Sequence, residues 1–172
     1  MTGAEYRKLV GRYVLHAYQG RGLKVYEEVS LGTSIIGKQR RVDLFVTGPG
    51  EKALVIECKY QEGPGTADEK IPYALDDMEA MRVEGIIAYA GNGFSAGVLH
   101  LLQSSSFAAY CLPNEELLRT AVRAGAIDSG TWQLDHVIAQ IFGMWDIVLG
   151  NKVPLSSDSQ LTLFETATDD VE

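Results

Sequence analysis

In the stretch LVIECKYQ, residues 54 to 61, Glu57 and Lys59 stand two positions apart in a run otherwise built of strand-forming residues. Side chains alternate along a strand, so the carboxylate and the ammonium leave from one face while Leu54, Ile56 and Cys58 leave from the other. Charges placed in this way are costly unless they are paired or used. Upstream, RRVDLFV at 40–46 is a second strand-like run carrying Asp43, and GPGEK between the two reads as a turn. A hairpin closed near Gly50 brings Asp43 opposite Glu57 and Arg41 opposite Lys59. Even a slip of two residues keeps Asp43, Glu57 and Lys59 on one face, and only a bulge would break this. Two carboxylates facing each other at a Cβ separation of roughly 5 Å repel. A bound divalent cation relieves that repulsion, and oxygen donors of this kind suit Mg²⁺. Lys59 alone is a partial substitute.

The elements that must hold these groups follow in a legible order. Tyr6, Leu9, Val10, Tyr13, Val14 and Ala17 recur at helical spacing, Thr2 and Glu5 have the spacing of a capping box, and Gly20 and Gly22 stop the pattern. LKVYEEVSLG, RRVDLFVTG and KALVIECKYQ then read as an antiparallel meander. Ile71, Leu75 and Met78 form a helical stripe, with the helix expected to start near Pro72 after a loop. VEGIIAYAG is the next strand, followed by a short helix through Val98, Leu101 and Leu102, the strand FAAYCLP, and a helix opened by Asn114 with Glu115 and Glu116 in its first turn. A last helix from about Thr131 to Leu149 carries Leu134, Val137, Ile138, Ile141, Phe142 and Trp145 on one face, and Gly150 ends it. The expected fold is α/β, with a mixed central sheet flanked by helices.

With 172 residues, 46% hydrophobic and 22% charged, the chain suits one domain, placed at 1–150, followed by an acidic tail at 151–172 that reads as mobile. No apolar run approaches the roughly 20 residues that cross a bilayer, and the start, MTGAEYRKLV, lacks a signal-peptide core, so the reading is cytoplasmic and without membrane contact. Cys58 and Cys111 sit in apolar runs and read as reduced core thiols, too few for a zinc site. The net charge of −8 is unevenly spread: residues 1–59 carry +4, residues 60–150 carry −8 and the tail −4. The basic part is the part containing Asp43, Glu57 and Lys59, which keeps a polyanionic partner in play despite the acidic total.

Taken together, the order helix, three strands, helix, strand, with Asp43 in RRVDLFV and Glu57 and Lys59 in LVIECKYQ, resembles the PD-(D/E)XK nuclease superfamily, the restriction endonuclease-like fold, over roughly residues 2 to 113. Val42 stands where a proline is frequent in that family. The resemblance implies a Mg²⁺-dependent DNA endonuclease, with Mn²⁺ as a substitute. In it Asp43 and Glu57 hold the metal, the Cys58 carbonyl adds a ligand, and Lys59 orients or activates water. It also implies roles for Glu5, matching a carboxylate of the first helix, and for Gln61, matching a glutamine of several subgroups. Both have plainer readings, as a capping-box residue and as a strand-end hydrogen bonder.

The resemblance also admits, as rivals, a structure-specific nuclease, such as a Holliday junction resolvase or a repair or recombination nuclease, and a non-catalytic nucleic-acid-binding module that retained the fold. The complete set of Asp43, Glu57 and Lys59 argues against the binding module. Lys38, Arg40 and Arg41, close in sequence to Asp43, could contact a nucleic-acid backbone, as could Lys70 in the polar cluster after the site. One of Glu27 and Glu28 could join the site from the neighbouring strand. No separate target-recognition domain is evident, so specificity would come from loops, from a partner protein, or from a homodimer. The stripe on the last helix reads equally as core or as a dimer face.

Overall fold

The computed structural model describes residues 1–33, 37, 39–119 and 130–155. Helix α1, Gly3–Ala17, opens with the expected capping box: the Thr2 hydroxyl accepts from the Glu5 N–H, and the Glu5 carboxylate accepts from the Thr2 N–H. Strands β1 (Lys24–Thr33), β2 (Gln39–Thr47) and β3 (Ala53–Tyr60) form the meander, and a short 3₁₀ turn at Pro49–Glu51 closes the second hairpin. Then follow α2 (Ala67–Glu79), β4 (Glu84–Ala90), α3 (Ala96–Ser104), β5 (Ala108–Tyr110), α4 (Glu115–Arg119), α5 (Trp132–Phe142) and α6 (Asp146–Leu149). The five strands lie in sequence order, antiparallel through β1, β2 and β3 and parallel from β3 through β4 to β5. Helices cover both faces, so β3 and β4 are buried on both sides, as their continuous apolar runs require.

The two faces carry separate cores. Tyr6, Val10 and Val14 of α1 and Leu134, Ile138 and Phe142 of α5 pack with Leu44, Val46, Leu54 and Ile56. On the other side Ile71, Leu75 and Met78 of α2 pack with Val55, Ile87 and Tyr89. Strict alternation would send Val42 to the α1 side with Leu44 and Val46, yet it packs on the α2 side. In β1, likewise, Val25 packs on the α1 side whereas Val29 and Leu31 pack on the α2 side. The outer half of the β1–β2 hairpin is therefore turned over relative to its inner half. The turnover lies between Val25 and Val29 and between Val42 and Leu44, where Glu28 has φ 56°.

Two sequence expectations are corrected. Helix α2 starts at Ala67, with Pro72 inside it rather than at its beginning. It can start early because its first turn is secured from outside: the Gln61 side-chain oxygen accepts from the Ala67 N–H, so the bond lost at Pro72 does not decide the boundary. The last helix is not continuous. Gly143, at φ 71°, caps α5, and Met144 and Ile147 fold back into the core before α6 ends. Of the stripe read equally as core or dimer face, Leu134, Ile138 and Phe142 are buried and Val137 and Ile141 pack against the core, while Trp145 stays 46% exposed. Residues 156–172 of the acidic tail lie outside the described residues.

A buried polar knot joins the first helix to the last part of the fold. Asp135, 2% exposed, accepts hydrogen bonds from the hydroxyls of Tyr13 at 2.6 Å, Tyr18 at 2.7 Å and Thr131 at 2.9 Å. Burial pushes its carboxyl up from the usual range against the pull of the three hydroxyls. Among the described residues no helix is long and apolar enough to cross a membrane.

Candidate active site

The ladder between β2 and β3 runs from Thr47↔Ala53 to Leu44↔Ile56, the register the sequence predicts, and stops there. One residue further, Asp43 bonds through its side chain: Oδ2 accepts from the Cys58 N–H at 2.8 Å. The carboxylate is thus fixed in the fork where the two strands part. Next to it, Lys59 Nζ lies 2.6 Å from Glu57 Oε1. Burial pushes the Glu57 carboxyl above its ordinary range. Lys59 pulls it back down, and the like charge of Asp43 pushes it up again. β3 itself is held in register by β4, with Glu57 beside Ile87 and Lys59 beside Tyr89. Asp43, Glu57 and Lys59 are therefore gathered at one place by two strand pairings.

Further charges surround Asp43. Arg7, on α1, sets Nη1 3.6 Å from Asp43 Oδ1 and 2.9 Å from Glu28 Oε1, with Nε 3.8 Å from Glu27 Oε2. Arg41 also bonds Glu28, and these two guanidinium groups, Arg41 first, hold the Glu28 carboxyl below the usual range. The residue of the first helix that meets Asp43 is Arg7, whereas the Glu5 carboxylate is engaged by Thr2 at the start of the same helix. Sequence reading passed over Arg7, although it lies three residues before Val10 and seven before Val14 and so flanks the buried stripe.

Gln61 is only 6% exposed, and its amide is fully engaged. Nε2 donates to Asp68 Oδ1 and to the Gly93 carbonyl, both at 2.8 Å, and Oε1 accepts from the Ala67 N–H at 3.0 Å. Asp68 also accepts from the Ser95 N–H, and the Gly93 N–H donates to the Gln61 carbonyl. The loops after β3 and β4 are in contact through their backbones here. A Cβ on Gly91 would fall 2.2 Å from the Gln61 carbonyl oxygen, and one on Gly93 would fall 2.3 Å from that of Gly63. The GNGF segment is thus a close-packed turn clamped by Gln61.

The proposed backbone-contact residues fare differently. Arg40 makes a two-pronged ion pair with Asp77 of α2, each side chain 13% exposed, so its guanidinium ties the turned-over hairpin to α2. Arg41 bonds Glu28 rather than lying opposite Lys59, because the β2–β3 ladder has ended before it. Lys70 is exposed on the first turn of α2. Lys38 lies outside the described residues.

A metal ion would meet hard oxygen donors here, those of Asp43 and Glu57, with the Cys58 carbonyl between Glu57 and Lys59 in the chain. Among the described residues no group of three or more His, Cys, Asp or Glu side chains could hold a metal ion. Two carboxylates side by side suit a hard divalent cation that completes its shell from backbone, water or substrate.

The description of the PD-(D/E)XK nuclease superfamily domain matches residues 2–145. The chain belongs to the PD-(D/E)XK nuclease superfamily. No curated protein matches it. Among solved structures, this superfamily member is similar to a repair endonuclease from Pyrococcus abyssi, at 17% identity and a TM-score of 0.38, over 63% of this chain and 45% of that one. The chain thus spans less than half the length of that endonuclease. It is also similar to a protein of unknown function, AF1548, at 17% identity and a TM-score of 0.40, over 94% of this chain and 96% of that one.

Proposed function

We propose that the chain is a divalent-metal-dependent DNA endonuclease, with Mg²⁺ as its cation and Mn²⁺ as a substitute. The observation that supports this most directly is the meeting of Asp43 with the Glu57–Lys59 pair in the fork between β2 and β3. Asp43 and Glu57 would hold the cation with the Cys58 carbonyl. The bound cation supplies charge for the attacked phosphate and the leaving oxygen and lowers the pKa of water. Lys59, which pairs with Glu57 here, would hold the attacking water, its positive charge favouring the hydroxide form. Gln61 acts through the clamp, keeping the end of β3 and hence Lys59 in place. Arg41 and Lys70 stand accessible to a nucleic-acid backbone, Arg40 does not, and sequence specificity is left to loops or to a partner protein.

The test is incubation with plasmid and with branched DNA, in Mg²⁺, in Mn²⁺ and in chelator, alongside Asp43→Ala and Lys59→Ala. Metal-dependent cleavage abolished in both variants is expected. Preferential cutting of the branched substrate would make the enzyme structure-specific, and DNA binding without any cleavage would leave a binding module that kept the fold.

A further inference from the structure

Glu28 occupies the left-handed region, at φ 56°, where residues other than glycine rarely lie. The pairs on either side, Glu27↔Leu44 and Val29↔Val42, keep one register, so no inserted residue accounts for it. A surface ion pair contributes too little to stability to explain a strained backbone in mid-strand. The conformation does have a chemical result. The Glu28 carboxylate bridges Arg7 Nη1, from α1, and Arg41 Nη2, from β2, next to Asp43. The remaining donors of the Arg41 fork and Arg7 Nη2 make no hydrogen bond among the described residues, and the Arg41 side chain is 61% exposed. Two planar cations joined through Glu28, Arg7 18% exposed and also 3.6 Å from Asp43 and 3.8 Å from Glu27, keep donors to spare for a phosphate group, which a guanidinium fork can bind bidentately.

We propose that Glu28 is a positioning residue that holds Arg7 and Arg41 as a phosphodiester-binding pair beside Asp43. This rests on the nuclease reading and adds to it the groups that seat the nucleic-acid backbone.

The test uses Glu28→Gln and Glu28→Gly, with cleavage kinetics and thermal melting. Removing the carboxylate takes away no attraction for a polyanion but frees Arg41 to move and leaves Arg7 held only by its longer contacts to Asp43 and Glu27. The expected result is a kcat lowered by about tenfold to a hundredfold with KM unchanged or lower. Glycine is at ease at φ 56°, so the Tm of Glu28→Gly should not fall. An unchanged or raised kcat overturns the proposal, and so does a loss of activity accompanied by a fall in the Tm of Glu28→Gly.

A second readout needs no cleavage. Fluorescence anisotropy of a labelled duplex in chelator, across a salt series, should show the slope of log affinity against log salt reduced by about 0.9 in Arg7→Ala and again in Arg41→Ala. Unchanged slopes in both refute the pair. If the wild-type chain shows these slopes yet cuts nothing, the nuclease reading fails and the phosphate pair stands. If it cuts and Glu28→Gln cuts as fast, the reverse holds.

Discussion

Replacing Gln61 with methionine keeps the length of the side chain and removes every hydrogen bond its amide makes. The bonds to the Ala67 N–H and the Gly93 carbonyl join β3 to the start of α2 and to the turn after β4. Each is worth about 1 kcal/mol net, and more where the abandoned backbone group stays out of water, so the two together come to about 3 kcal/mol. The bond to half-buried Asp68 is left out of that figure. For a chain of this length each kcal/mol moves Tm by about 2–4 °C, which predicts a fall of about 6–12 °C. Thermal melting followed by circular dichroism measures it, and cleavage assayed well below the lowered Tm completes the test. Most of the rate should survive at low temperature, since Gln61 has no spare donor for water or phosphate. An unchanged Tm with abolished cleavage would refute the clamp and put the glutamine into the chemistry.

Three further outcomes follow from the same geometry. Burial raises the Glu57 carboxyl, so its protonated form is the one that suits the metal-free fold; that contribution is complete below the unfolded pKa and is lost as pH rises through the folded one. A cation needs the ionised form, so the increase in Tm produced by Mg²⁺ should grow from acidic to neutral pH and should vanish in Glu57→Gln, as scanning fluorimetry can show. Asp135→Asn leaves three hydroxyls competing for one amide oxygen in a buried site and should cost about 3 kcal/mol in urea unfolding, with no loss of duplex affinity in the folded protein. A double-mutant cycle on Arg40 and Asp77 should give a coupling of about 1–2 kcal/mol in stability, while Arg40→Ala leaves duplex affinity nearly unchanged because the guanidinium is already committed to α2.

The features that depend on short-range geometry are legible in the order of the residues. A turn at Gly50 sets the β2–β3 register, a two-residue period sets Glu57 and Lys59 on one side of β3, and the Thr2–Glu5 spacing sets the start of α1. Those rules are carried by covalent geometry and near-neighbour hydrogen bonds, so they can be read without knowing what lies across the sheet. The remaining features depend on contacts between distant parts of the chain. The β1–β2 hairpin turns over at Glu28, which no periodicity announces, because what Val29, Leu31, Val42 and Arg40 bury against is α2, more than twenty residues further along the chain. That turnover keeps Arg41 from lying across from Lys59 and gives it to Glu28, and α1 packing brings Arg7, rather than Glu5, to Asp43. Gln61 likewise stands two residues past Lys59 in the chain, but its partners come from α2 and from the turn after β4. Only the folded chain makes it the clamp behind the site.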